Sequence, residues 1–144
     1  MITVKKYKEI CDQIVEAINI DGHIITSSEA QGMEKLYDKD GIRLVAVYPS
    51  YHFAGDPDAY KDLHEILFFI ITRKTEGADE ETDLQQYSDT QDAIIRLKEY
   101  LFNEDDYGNT HCPQFPNADI SSVLIDPEYN IFGGYNGWSM KFVC

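Results

Sequence analysis

The chain has 144 residues, 43% hydrophobic and 12% aromatic, which is enough to bury a core of its own, so we expect one domain over residues 1–144. Its 26 acidic residues outnumber its 12 basic ones and give a net charge of −14, which disfavours binding to nucleic-acid phosphates or to an anionic membrane. Three cysteines without a repeated spacing fit a reduced compartment, and no apolar run approaches the roughly 18 residues of a membrane span, so a cytoplasmic protein is expected.

The first predicted element is a helix over about residues 4–19, with apolar side chains at steps of three and four. These are Val4, Tyr7, Cys11, Ile14 and Ile18. A short strand over 23–26 follows. Residues 33–37 and 42–48 are then predicted to pair as a hairpin, because Asp40-Gly41 between them supplies the positive φ of a tight turn.

The strongest signal is the run from Glu65 to Lys74, in which six consecutive large apolar residues predict a buried central strand. Alternation places large side chains on both faces of this strand, so neither face can be left in water. We expect two amphipathic helices on one face, and aromatic loops or a neighbouring subunit on the other. Residues 49–63 and 76–81, on either side of the strand, are predicted to be long loops.

Thr82 and Gln85 form a capping-box pair that predicts a second helix over about 83–102, with Leu84 among its inward residues. A third loop over 103–117, a strand over 120–125, a turn over 126–130 and a terminal strand over 138–143 complete the chain. The predicted fold class is therefore α+β: a mainly antiparallel sheet of about five or six strands with two helices packed on it, in the order α-β-β-β-β-α-β-β.

No catalytic residue, cofactor site or metal site is predicted, and we do not expect an enzyme. The acidic positions from Asp56 to Asp62 resemble a calcium loop, but Leu67 stands where a bidentate glutamate is required. His111-Cys112 has no second pair at zinc-finger spacing. An enzyme that uses Cys112 as a nucleophile remains a third, weaker alternative.

Two surface features carry functional information. The segment 76–106 contains eleven acids against two basic residues, and it predicts either a solubilising helix face or an acidic contact face at Glu80, Glu81, Asp105 and Asp106. Aromatic residues are concentrated in the loops around the central strand and in the loop before the last strand. This pattern is typical of protein contact surfaces, and it equally fits side chains that pack under long loops. The possible protein-contact residues are Tyr51, Phe53, Tyr60, Tyr129, Phe132 and Tyr135.

In its order of elements the chain resembles the tail-terminator (tail-completion) proteins of tailed phages. The segments that carry the resemblance are the helix around residues 10–14, the strands 42–48 and 66–72, the helix 84–102 and the closing stretch 137–142. The resemblance implies a structural, non-enzymatic subunit of a hexameric ring that caps a tail tube, with an acidic lumen for DNA. It also implies contacts with further copies and with tail proteins, a place in the virion, and no catalytic residues.

The alternative hypothesis is an acidic binding module of the immunity or inhibitor type. In that case the carboxylates dock on a basic protein partner. The two hypotheses differ in the partner: another copy of this chain for the ring, a cationic protein for the module.

Overall fold

The computed structural model describes residues 1–57 and 59–144, and for residues 54 and 59–61 it describes only the backbone. In chain order the elements are α1 (Val4–Ile18), β1 (Gly22–Thr26), α2 (Glu29–Leu36), β2 (Arg43–Val47), β3 (Ser50–Asp56), β4 (Ala59–Arg73), α3 (Glu80–Leu101), β5 (Asn103–Glu104), β6 (Thr110–His111), a 3₁₀ turn (Ile120–Ser122), β7 (Leu124–Ile131) and β8 (Tyr135–Val143).

Six of the strands form one mixed sheet in the order β1-β2-β4-β8-β7, with β3 also paired to β4. β1 and β2 are parallel, and the other pairs are antiparallel. The fifteen-residue strand β4 is the centre of the sheet, because it pairs with β2 and β3 along one edge and with β8 along the other. β5 and β6 form a separate small ladder.

The larger core lies between the sheet and the helices α1 and α3. Ile66, Phe68 and Ile70 of β4 face these helices and are fully buried. The ring of Phe68 stacks on Tyr7 of α1 at 6.2 Å between centroids and lies 6.4 Å from Phe142 of β8. The expectation that one face of the central strand packs under two helices is confirmed.

A second, smaller core covers part of the opposite face of the sheet. Ile71 and Val45 are buried there beneath Leu36 of α2 and beneath Phe132 and Tyr135 from the connection between β7 and β8. The Tyr135 hydroxyl donates to the backbone oxygen of Leu36 at 2.9 Å, which ties the end of α2 to β8. This part of the face is therefore closed by a third helix and by two aromatic side chains.

Side-chain caps explain where the three helices begin. Thr3, Ser28 and Asp79 each precede a helix and accept a hydrogen bond from a backbone N–H of its first turn. α1 ends at Asn19, whose left-handed conformation (φ 55°) directs its N–H to the oxygen of Val15.

The prediction for residues 33–37 is wrong. They belong to α2 and its end, not to a hairpin arm, so the fold has three helices and the order α-β-α-β-β-β-α-β-β before the small β5–β6 ladder is counted. Because α2 connects β1 to β2, these strands run parallel, and the sheet is mixed instead of mainly antiparallel. The α+β class itself is confirmed.

Two further predictions are wrong for the same physical reason, which is that edge positions tolerate turn-forming residues. Residues 50–56 and 59–63, predicted as loop, are β3 and the first part of β4. Residues 126–130, predicted as a turn, belong to β7, an edge strand in which the missing N–H of Pro127 costs no bond inside the sheet. Leu84, predicted to face inward, is 61% exposed.

Candidate assembly surface

β3 and the first part of β4 form a two-stranded arm, which comprises residues 50–56 and 59–64. The β8 pairing of β4 begins at Glu65 opposite Val143, and His64 exchanges two backbone hydrogen bonds with Cys144. Beyond this point β4 is paired with β3, from Ser50 opposite Glu65 to Asp56 opposite Ala59. The arm therefore extends past the end of β8 as a ribbon.

The arm carries an aromatic cluster on the side of the sheet that the helices cover. The Tyr51 ring lies 5.4 Å from that of Phe53, edge to face, and 5.2 Å from the imidazole of His64. The Tyr51 hydroxyl donates to the Asp62 carboxylate at 2.8 Å, while Phe53 remains 62% exposed. The predicted contact residues Tyr51 and Phe53 thus lie together on the arm. The side chain of Tyr60 lies outside the part of the chain that the structure describes.

His64 connects the base of the arm to the N-terminal segment. Its Nε2 accepts the Ile2 N–H at 3.1 Å, and this requires the neutral imidazole. Burial, together with the positive charge of the N-terminus, lowers the pKa of His64 below its usual value and favours that neutral form. The arm is thereby anchored to the start of α1.

The other three predicted contact residues lie at the opposite end of β4. Tyr135 pairs with Arg73, nine residues from His64, which corresponds to about 30 Å along the strand. Phe132 and Tyr135 are buried, with 6% and 5% of their surface exposed, so they are core residues. Only Tyr129 is on the surface there, 67% exposed, with the Lys74 ammonium 5.5 Å from its ring centroid. The five described aromatic side chains of this set therefore do not form one surface.

Beyond the second core, the same face of the sheet is open. Leu67 of β4 is only half-buried, and Leu124 of the edge strand β7 is 48% exposed. Lys141 lies between Leu67 and Leu124 in the register and is exposed. This open half of the sheet face adjoins the base of the arm at Glu65.

The predicted acidic face is divided between the two ends of α3. Glu80 and Glu81 are exposed in its first turn, whereas Asp105 and Asp106 follow its last turn, about 33 Å away along a helix of 22 residues. The outer side of α3 carries acids between these ends. Glu81, Asp92 and Glu99 are spaced so that they project in nearly the same direction. Leu84 and Ile95, both exposed, form an adjacent stripe that the sequence pattern did not reveal.

Asp105 organises the turn between β5 and β6. Its carboxylate accepts the N–H groups of Tyr107 and Asn109, both at 2.9 Å, and lies 3.0 Å from the Nε2 of His111. These hydrogen bonds, that of His111 first, lower its pKa to about 2. Asp105 is thus engaged in its own turn, while Asp106 beside it is exposed.

A cleft of about 510 Å³ separates α2 from the connection between β7 and β8, with Arg73 and Lys74 on its rim. The Arg73 guanidinium lies 6.0 Å from the centroid of the Tyr135 ring and 3.6 Å from the Asp40 carboxylate. The charge of Arg73 is therefore compensated within the chain.

The surroundings of Cys112 do not favour the role of a nucleophile. Cys112 is buried, and burial raises the pKa of its thiol, which disfavours the thiolate that a nucleophile needs. Within residues 1–57 and 59–144, no three His, Cys, Asp or Glu side chains converge closely enough to hold a metal ion. Among the helices of this part of the chain, none combines the length and apolar composition of a membrane crossing.

Comparisons with known proteins identify no relative. No protein-family model, no curated protein and no solved structure matches the chain.

Proposed function

We propose that the chain is a structural, non-enzymatic subunit that assembles with further copies of itself into a ring, as the resemblance to phage tail terminators implies. The observation that carries this proposal is the arm. The arm is a ribbon that extends beyond the end of β8 and bears an exposed Phe53. Exposed aromatic side chains of this kind are enriched in protein contact surfaces, which supports a contact with a neighbouring subunit.

The open half of the sheet face supports the same proposal. Leu67 and Leu124 leave apolar surface next to the base of the arm, and burying such surface stabilises an interface by about 25 cal/mol per Å². The arm and this face lie on different parts of the subunit surface. A contact between the arm of one copy and the face of the next is therefore heterologous. Such contacts form a ring when the rotation between successive copies closes, and an open filament when it does not.

The acidic outer side of α3 has a role in this proposal. In a ring whose lumen is lined by Glu81, Asp92 and Glu99, DNA would pass without adhering, because both surfaces carry the same sign of charge. The tail tube and neck proteins would be the further partners, and the virion the final location.

A second candidate function follows from the same acids. If the outer side of α3 were to dock on a basic protein, its acids together with the exposed Leu84 and Ile95 would form the contact of an acidic binding module. This corresponds to the immunity or inhibitor type of protein.

Salt distinguishes the two functions. Copies that each carry a charge of −14 repel one another, so assembly through apolar contacts strengthens when salt screens the charge, whereas docking on a basic partner weakens. The test is sedimentation velocity of the purified chain over a hundredfold concentration range, at about 50 and 500 mM NaCl. These two salt concentrations lie on either side of about 100 mM, where the electrostatic screening length is about 10 Å. Larger species that increase with salt support the ring.

A pull-down with the immobilised chain from its native source, at the same two salt concentrations, is the complementary test. Recovery of tail proteins at both concentrations supports the ring. Recovery of a basic protein only at low salt, with a monomer in sedimentation, supports the binding module and rejects the ring.

A further inference from the structure

We propose that His64 makes the attachment of the N-terminal segment to the base of the arm dependent on pH. The neutral imidazole holds Met1 and Ile2 in place, and its protonation releases them. The N-terminal segment comprises residues 1–3, which precede α1. This proposal stands independently of the ring, because it concerns contacts within one subunit.

One hydrogen bond fixes the protonation state of His64. Its Nε2 accepts the Ile2 N–H at 3.1 Å. A backbone amide is only a donor, so Nε2 must carry a lone pair, and the single ring proton is on Nδ1. In the protonated ring, the N–H groups of His64 and Ile2 would point at each other, and this bond would be lost. The attachment therefore requires the neutral ring.

The surroundings of His64 favour this neutral form. The side chain is 7% exposed, and its ring lies 5.2 Å from that of Tyr51, whose hydroxyl donates to the Asp62 carboxylate. His64 also lines a cleft of about 260 Å³ at the base of the arm, together with Met1 and Ile2. Burial is the main reason why the pKa of His64 lies below its usual value. Protonation is therefore expected only below about pH 6.5, the usual pKa of histidine.

Charged and polar groups face His64 from each element around it. After burial, the Met1 ammonium and His52 of β3 also lower its pKa, whereas the Asp62 carboxylate and the backbone carbonyl of Cys144 raise it. The Cys144 thiol is neutral in this pH range, because burial raises its pKa to about 11. The loop that precedes the 3₁₀ turn contributes uncharged side chains to the lining of the cleft, namely Gln114, Phe115, Pro116 and Asn117.

The release concerns Met1 and Ile2 and leaves α1 in place. Thr3 belongs to the start of the helix, since its side chain accepts the Lys6 N–H at 3.1 Å. The Met1 ammonium is held only by the partly exposed Asp62 carboxylate at 3.9 Å, which is a weak ion pair. Ile2 packs on the edge of the larger core. Its release would therefore pivot at Thr3 and uncover the apolar lining of the cleft beside the arm.

The test is an NMR titration of the full chain from about pH 8 to about pH 4.5. The attachment should be complete above about pH 6.5 and be lost as the pH falls through the lowered pKa of His64. We expect the order parameter of the Ile2 amide to fall from about 0.85 to below about 0.6, with the same midpoint as the His64 ring signals. The Lys6 amide should not change. An Ile2 amide that stays rigid while His64 titrates, or a His64 midpoint above 6.5, would overturn the proposal.

Two substitutions of His64 give opposite results. In His64→Gln the amide oxygen accepts the Ile2 N–H but does not titrate, so Ile2 should stay rigid over the whole pH range. In His64→Leu the acceptor is absent, so Ile2 should already be mobile at about pH 8. Release of Ile2 at low pH in the folded His64→Gln variant would reject the proposal.

Neighbouring charges provide a test that leaves His64 itself unchanged. Asp62→Asn keeps an oxygen acceptor for the Tyr51 hydroxyl but removes the charge that raises the pKa of His64, so release should need a lower pH. His52→Gln removes a charge that lowers this pKa, so release should begin at a higher pH. In both variants the midpoints of Ile2 and His64 should move together. Midpoints that separate, or that shift in the same direction in both variants, would contradict the proposal.

Discussion

The ring of Phe132 packs so closely on Gly32 of α2 that a β-carbon at position 32 would lie 2.6 Å from its Cδ1 atom. Phe132 has a left-handed backbone (φ 50°), which costs a non-glycine residue about 1–2 kcal/mol. Its ring is buried against Phe69 at 5.1 Å between centroids, and its N–H donates to the Glu29 carboxylate at 3.2 Å. Burying a phenylalanine contributes about 1.5–3 kcal/mol, enough to offset the strain.

Gly32→Ala should therefore destabilise the chain although alanine is the better helix former. Overpacking against Phe132 costs about 1–3 kcal/mol, or occasionally more, while alanine in a helix recovers about 1 kcal/mol. We expect a net loss of up to about 2 kcal/mol in the free energy of unfolding, measured by urea denaturation.

The control is a double-mutant cycle with Phe132→Leu. Because the clash requires the aromatic ring, the loss caused by Gly32→Ala should be smaller in the Phe132→Leu background. Strict additivity of the two substitutions would show that Phe132 does not impose the glycine.

The contact between Gly32 and Phe132 also explains why the sequence did not predict α2. The stretch 27–32 is small and polar, and Gly32 weakens a helix by about 1 kcal/mol relative to alanine. Asp40-Gly41 meanwhile gave a hairpin signal that was strong locally. Ser28 as a cap and Glu29 in the first turn were the helix signals in this stretch. The position of α2 depends on the contact of Gly32 with Phe132, about a hundred residues later in the chain. No local sequence pattern contains that contact.

The central strand and the two long helices were predictable because their apolar residues repeat over many positions. The arm was not, since Pro57 and the surrounding polar residues indicated a loop, although the aromatic residues 51 and 53 at alternate positions were a strand signal. Burial of Phe132 and Tyr135 was not predictable either. Aromatic residues in a glycine-rich segment have the same composition whether they face solvent or cover a sheet.

Phe68→Ala should cause a large loss of stability, because Phe68 is fully buried and contacts the rings of Tyr7, Phe115 and Phe142. Removing its ring leaves a cavity between sheet and helices, at an expected cost of about 3–5 kcal/mol in urea denaturation. Tyr107→Ala, at a position 89% exposed, is the matched aromatic control and should change stability by less than about 0.5 kcal/mol. Similar losses for the two variants would contradict the assigned core.

Asp105 should hold the turn between β5 and β6 down to unusually low pH. Its pKa is lowered from 3.8 to about 2 in the folded chain, so the stabilisation is fully present above about pH 4. It is lost as the pH falls through about 2, when the carboxyl becomes protonated. In an NMR titration the Asp105 carboxyl should have its midpoint near 2, and the amide signals of Tyr107 and Asn109 should move with it.

Asp105→Asn is the control for this titration. It should abolish the coupled movement of the two amide signals while leaving the central sheet intact. A carboxyl midpoint near 4 in the unmodified chain would contradict the hydrogen bonding assigned to Asp105.

The most direct test of the central claim, that the arm joins one copy to the next, is sedimentation velocity of a shortened-arm variant beside the unmodified chain. Replacing residues 52–63 with Asn-Gly connects the paired residues Tyr51 and His64 by a two-residue turn, removes Phe53 with the rest of the arm beyond this pair, and leaves the pairing of β4 with β2 and β8 unchanged. At about 500 mM NaCl the unmodified chain and the Tyr107→Ala control should form a species of ring mass, and the shortened-arm variant should remain monomeric. Equal masses for the shortened-arm variant and the unmodified chain, whether both monomeric or both assembled, would contradict the account.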